Sequence, residues 1–421
     1  SYNTAIGSDA GKAITTGVEN TLIGSSAGDA LTDADYNVAV GISALSADTL
    51  GSRSVAIGRM ALGNQNFTTA TNAYNTAVGY SAGIQVTTGT HNTLIGGDAG
   101  DAITTGLSNV AIGYNALSTE DAHGLNTAVG YSALATLNAG ADGYNVAVGY
   151  RAGTAMNTGL YNTLLGADAG RLITTGGRNV AIGLQALDAN TTGSKSIAIG
   201  VNALGTQNPA TATNMNNIAI GDSSGSVLST GTANTLIGSG AAVALTTGLD
   251  NVALGMDAAQ DMTIGRFNIA IGTQALGNET IGDRSVAIGY QSGYYQVSDS
   301  NNEEAQNVYA GMYSGHYNVT GKFNTAIGYQ ALMGNSTNSA DSNVAIGKNA
   351  GLNCRGDNNT LVGALAGDAI TTGDTNCAFG KNALTAVNTG TNNVGVGQGA
   401  GNSITTGATN TILGDATGQN I

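Results

Sequence analysis

Tryptophan is absent from this 421-residue chain; phenylalanine occurs four times, cysteine twice and proline once. An aromatic fraction of 5% is thin for the two or three compact cores that the length would otherwise suggest. A single proline beside 65 glycines excludes collagen, which needs glycine at about one residue in three and abundant proline. Charge is also scarce: 10% of residues carry one, against roughly 25% in an ordinary soluble domain. Of these, 13 are basic and 27 acidic, giving a net charge of −14 and no electrostatic footprint for nucleic acid. Two cysteines do not identify a redox compartment. The apolar fraction of 41% is nevertheless too high for simple disorder.

What the chain does contain is one repeat. The pattern Asn-Thr/Val-Ala/Leu-Ile/Val-Gly runs from residues 3–7 to 410–414, and its glycine recurs 24 times. Seventeen of the 23 intervals are 17 residues long. Four residues before the glycine, 21 copies have Asn and the other three have Ser54, Ser196 and Ser285. A longer period overlays the first. The residue two before the glycine is usually Ala, but becomes Leu22, Leu94, Leu164, Leu236 and Tyr309 at four-coil steps, then Leu361 and Ile412. Insertions tend to follow every fourth coil, as at 64–73 and 207–216.

Seventeen residues are too few for a two-helix repeat, which needs about 33. The short β-branched run bounded by Asn and Gly is a strand signal. A strand at constant phase implies a winding chain in which each strand pairs with its equivalent one coil on. Ordering one coil costs on the order of 17–34 kcal/mol of backbone entropy. Burying one Ile returns only about 1.5–3 kcal/mol, so a lone coil cannot stand. The recurring Asn suits either an amide ladder or a turn position that tolerates left-handed backbone. In Val38-Ala39-Val40 the outer two residues share one face and Ala39 takes the other, and all three are apolar. Strands apolar on both faces are expected to be covered on both, and a narrow coil has one lumen. The second face is therefore expected to meet another chain. The fold class expected is all-β: a parallel β-solenoid of about 24 coils with a 17-residue period and a four-coil superrepeat, oligomeric and continuous over 1–421.

Tyr74-Asn75-Thr76-Ala77-Val78-Gly79-Tyr80-Ser81-Ala82-Gly83 and Phe323-Asn324-Thr325-Ala326-Ile327-Gly328-Tyr329-Gln330-Ala331-Leu332 resemble the Asn-Thr-Ala-Val-Gly-Tyr-Gln-Ala-Leu repeats of long extracellular and phage tail fibres, many of which end in an endosialidase-type chaperone. They are also similar to the head repeats of trimeric autotransporter adhesins. The resemblance spans essentially the whole chain. It implies a left-handed parallel β-roll, three chains packed side by side, and use in attachment.

Enzyme-like motifs dissolve into the repeat. Gly24-Ser25-Ser26-Ala27-Gly28, Gly79–Gly83 and Gly221–Gly225 satisfy the nucleophile-elbow formula, which requires a strand-to-helix turn and a partnered His. Gly395-Val396-Gly397-Gln398-Gly399 imitates a dinucleotide loop without a following helix. His91, His123 and His316 lie far apart, so no metal or cofactor is expected. Cys354 and Cys377 fall in different phases of the coil and are expected as free thiols, Cys377 in a buried strand position. Arg355-Gly356-Asp357 is attributed to chance in a chain rich in Gly and Asp.

One coil departs from the rule. Between Gly289 and Gly311 the interval reaches 22 residues, with a polar run at 298–304. The irregular coil at 290–317 holds Tyr290, Tyr294, Tyr295, Tyr309, Tyr313, His316 and Tyr317. The last six named are candidate ligand-binding residues, since exposed Tyr clusters suit sugar or protein recognition. The other reading is that Tyr fills a widened core. The function expected is a non-enzymatic fibre segment, a shaft or head on a cell surface or virion, partnered by itself and by a host glycan or protein. No membrane insertion is expected in this segment. The sequence opens at Ser1 without Met, so a fragment or processed product is expected. The alternative is a single-chain solenoid that binds a surface such as ice or mineral through its Thr-Thr-Gly turns.

Overall fold

A computed structural model describes residues 2–298, 304–335 and 339–418. Among these the chain has no helix and winds as a parallel β-solenoid of about 24 turns at roughly 17-residue spacing. It divides into two compact units, Ser1–Met215 and Asn216–Ile421, each holding twelve of the 24 three-residue strands. Within a unit every strand pairs in parallel with its equivalent one turn on. Thr21, Leu22 and Ile23 face Val38, Ala39 and Val40 in the first unit, and Ile269, Ala270 and Ile271 face Val286, Ala287 and Ile288 in the second.

Strand alternation sends the middle residue into the lumen and the flanking two outward. Ala39 is fully buried, whereas Val38 and Val40 are half-exposed. The motif glycine follows with φ +139° at Gly41, and a Cβ there would stand 2.4 Å from the Gly58 carbonyl oxygen of the next turn. Glycine is therefore imposed by the close stacking of turns as well as by its dihedral.

Three further residues per turn take left-handed backbone, as Tyr36 (φ 62°), Ser43 (φ 54°) and Leu45 (φ 53°) do. Each such corner costs roughly 1–2 kcal/mol for a residue with a side chain. Bonds to neighbouring turns hold them: Tyr36 N–H to Val18 O at 3.1 Å, Ser43 N–H to Ser25 O at 2.9 Å and Leu45 N–H to Ala61 O at 3.0 Å.

The recurring Asn builds the amide ladder. Asn20 Oδ1 accepts from the Asn37 N–H at 2.9 Å, and Asn37 Nδ2 donates to Gly51 O at 2.9 Å. These asparagines do not adopt positive φ; from Asn20 onward the residue before each one does.

The four-coil superrepeat is a size exchange inside the lumen. Where Leu22 replaces Ala, the fourth residue after the motif glycine is also glycine, in that turn and in the one before. A Cβ on Gly11 or Gly28 would lie 2.7 or 2.8 Å from a Leu22 methyl. In ordinary turns the large residue sits at that later corner instead, as Leu45 or Leu62 beside Ala39 or Ala56. Close packing makes the two choices exclusive.

Ser54, Ser196 and Ser285 mark interruptions of the ladder, and each is bridged from inside. Gln65 Nε2 donates to Ser54 Oγ at 3.0 Å while Gln65 Oε1 accepts from Asn75 Nδ2 at 2.9 Å. Gln207 and Gln296 reach Ser196 and Ser285 in the same way. A buried polar residue stands six before each Ser: Asp48, Asn190 and Glu279. Asp48 accepts from the Gly51 and Phe67 N–H groups at 3.0 and 3.1 Å and from Gln65 Nε2 at 2.6 Å. Glu279 likewise accepts from the Gly282 and Ser298 N–H groups and from Gln296. These clusters lie beneath enlarged turns, whose diverted backbone needs acceptors that the regular ladder does not provide.

Candidate functional site

The irregular coil gathers most of its predicted residues. Tyr294 and His316 occupy one phase of successive turns and Tyr295 and Tyr317 the next. Each pair therefore stacks, with ring centroids 5.6 Å apart and planes at 15° for the first, and 5.0 Å and 10° for the second. Edge contacts join the columns, Tyr294 to Tyr295 at 4.8 Å and His316 to Tyr317 at 4.5 Å, and Tyr313 meets the imidazole at 5.2 Å. His316 is 6% exposed, and its Nδ1 lies 3.0 Å from Gln291 O, which makes Nδ1–H the donor. Burial lowers the imidazole pKa, so the ring is neutral with Nε2 as its acceptor. Loss of solvent raises the phenols of Tyr294 and Tyr313.

Tyr309 does not belong to this surface. It occupies the lumen position that Leu22 takes elsewhere, is fully buried between Gly293 and Gly315, and accepts from Asn318 Nδ2 at 2.6 Å. It fills a core widened by two glycines, and as a ligand-binding residue it is corrected. The other rings pack on one another, and Tyr290 and Tyr295 stay 42% and 38% exposed. Of the predicted polar run, residues 299–303 lie outside the described residues. Glu304 pairs with Arg284.

The remaining motifs have structural employment. Ser26, Ser81 and Ser223 sit at left-handed corners. Gly395 takes a lumen position, where a Cβ would meet Leu384 at 2.8 Å. Asp357 of the Arg-Gly-Asp tripeptide accepts from the Asp341 N–H at 2.8 Å. The first Thr of the Thr-Thr-Gly turns donates to the next turn, Thr15 to Thr32 O at 3.2 Å and Thr246 to Thr263 O at 2.9 Å, so these hydroxyls are engaged within the solenoid. Cys354 is buried and Cys377 is not, which reverses the expectation for Cys377; both thiols are free. Cys377 is outward because it holds the first position of its strand.

Sequence reading missed one grouping. Glu120, Asp121 and His123 bring ligand atoms within 4.8 Å of one another. Glu120 is turned inward, however, and its oxygens accept from the His123 and Ala139 N–H groups at 3.2 and 3.1 Å, beneath another enlarged turn.

A further surface in each unit is the outward face of the strands. Two residues of each three-residue strand point out, 48 in the 24 strands, and all are Thr, Val, Ile, Leu, Ala, Cys or Phe. Ile57, Leu165, Ile288 and Phe379 stay 38%, 46%, 43% and 42% exposed. The residue after the motif glycine adds Tyr114, Tyr131 and Tyr150, stacked at 5.6 and 5.5 Å. Compared with known proteins, the chain matches no family model and no curated protein.

Proposed function

We propose that this chain is a non-enzymatic structural segment of a fibre, outside a cell or on a virion, that packs side by side with copies of itself and acts in attachment. The observation that carries the reading is the uncharged outward face. A contiguous apolar surface of this extent marks an interaction site. Its ridges recur once per turn, so a partner must present the same rise to stay in register, and a second copy of the chain does. Copies each carrying −14 also need a face without charge on which to approach. The resemblance of the repeats favours three chains. Attachment then follows from multivalency, in which several identical rims engage together and multiply weak contacts.

Sedimentation tests this directly. The expected mass is three times the 41.5 kDa of one chain, falling to one chain in an Ile112→Lys/Ile182→Lys variant whose circular dichroism is unchanged. Unaltered protein that stays at 41.5 kDa at every concentration would overturn the reading.

A further inference from the structure

A groove in the first unit has no place in this account. Thr158, Leu160, Tyr161, Thr175, Gly177, Arg178 and Ser194 enclose a space of about 200 Å³, open to solvent. It exists because Gly177 presents no side chain between Leu160 and Ser194, its equivalents in the adjoining turns; the Gly177 N–H is satisfied by Ser194 Oγ at 3.0 Å. The Thr158 and Thr175 hydroxyls on the rim make no hydrogen bond among the described residues, unlike the neighbouring Thr174, which donates to Thr191 O at 3.0 Å.

Beside the groove runs a row built from the residue preceding each ladder Asn or the Ser that replaces it. Tyr144 and Tyr161 stack at 5.4 Å with planes 9° apart, Arg178 lies 5.4 Å from the Tyr161 centroid, and Lys195 follows one turn on. Neither cation has an ion-pair partner among the described residues. The contrast is local: Arg151 and Arg171, in nearby turns, clamp Asp168 and Asp188 at 2.9 Å each. In a chain with 27 acidic residues against 13 basic ones, two adjacent unpaired cations are an available anion site.

We propose that this groove binds an acidic sugar residue of a glycan, a hexuronate. Its carboxylate takes the Arg178 guanidinium and the Lys195 ammonium, its apolar ring face lies against Leu160 and the edge of Tyr161, whose faces Tyr144 and Arg178 cover, and its hydroxyls meet Thr158 and Thr175. A phosphate alone would leave the apolar wall of Leu160 and Tyr161 and the hydroxyl rim unused. The volume is below the roughly 300–1,000 Å³ of drug-sized pockets, which suits one sugar ring with the glycan continuing outside. The inference supplies a ligand class to the attachment reading and rests on it for context. All the residues come from one chain, so a monomer that binds the sugar would keep this site while overturning self-association.

Saturation-transfer NMR and calorimetry with trigalacturonate, neutral galactotriose and a sulfated galactan oligosaccharide provide the test. Trigalacturonate is expected to bind and galactotriose to bind far more weakly. Arg178→Gln/Lys195→Gln should weaken the acidic ligand by about tenfold or more, as loss of charged hydrogen bonds does. Tyr161→Ala and Thr175→Val should each weaken it several-fold, and Arg53→Gln, at a cation of the same row stacked 4.6 Å from Tyr36, should change nothing. Absence of saturation transfer from trigalacturonate overturns the proposal. So does binding of the sulfated ligand alone, or affinity indifferent to Tyr161→Ala and Thr175→Val, which would reduce the site to bare charge.

Discussion

Gln65 stands 3.0 Å from Ser54 and 2.9 Å from Asn75, spanning the gap that a shortened ladder residue leaves. Ser196 with Gln207 and Ser285 with Gln296 repeat the spacing of 11 residues. The pair acts as one unit, and it should be transferable.

Transfer can be tested at Asn162, which accepts from the Asn179 N–H at 3.0 Å and donates to Gly176 O at 3.0 Å. Asn162→Ser should cost about 1–3 kcal/mol by leaving buried groups unpaired. Ile173 lies 11 residues on, inside the lumen. Adding Ile173→Gln should give a favourable coupling of about 0.5–3 kcal/mol in a double-mutant cycle by chemical denaturation. A coupling of zero would sink the idea that Ser and Gln substitute jointly for Asn.

The size exchange in the lumen predicts a second coupling. Leu94→Ala should cost about 2–5 kcal/mol by opening a cavity against Gly83 and Gly100. Gly100→Leu alone should also destabilise, because a Cβ at Gly100 would lie 2.7 Å from a Leu94 methyl. Together the changes rebuild an ordinary turn like that of Ala111 and Leu117, and the double variant should be more stable than either single one. Strict additivity in denaturation midpoints would refute the exchange.

Burial holds the Asp48 and Glu120 carboxyls above their ordinary values of 3.8 and 4.5. Burial raises Asp101 and Asp368 too, with Asp98 adding repulsion at Asp101. Each group binds its proton more tightly folded than unfolded, so stability is greatest below the unfolded value and falls as pH rises through the folded one. Thermal midpoints should climb as pH is lowered from neutrality towards the ordinary carboxyl range. Asp48→Asn should flatten that climb relative to the unaltered protein, and an identical slope would count against a buried Asp48.

Thiol labelling separates the two cysteines. Burial pushes the Cys354 thiol up to about 12, so it should stay unlabelled in the folded chain. Cys377 should react in dissociated protein and become protected on self-association, since it belongs to the outward face. Rapid labelling of Cys354 in folded protein would contradict its place in the lumen.

The solenoid was legible in the sequence because its determinants are periodic. Glycine at constant phase, Asn four residues earlier and an apolar residue between them require turns that stack in register. The large residues at Leu22, Leu94 and Tyr309 were visible as a longer period, but their meaning was not, because their glycine partners are distant in sequence within the turn and only the lumen brings them together. The Ser interruptions were legible as exceptions, while their pairing with Gln65, Gln207 and Gln296 was not, because only the lumen brings residues 11 apart together. Tyr309 passed for a member of the exposed cluster because composition does not distinguish an inward from an outward ring.

From sequence alone follow the all-β class, the turn length, the constant position of Asn and the need for glycine. They follow from local spacing repeated 24 times. Tertiary structure decided the direction of each side chain: Ala39 inward with Val38 and Val40 outward, Tyr309 buried among exposed tyrosines, Arg178 unpaired beside an open groove. Direction depends on where the lumen lies and on which atoms of the next turn are already there, and the period of a sequence carries neither.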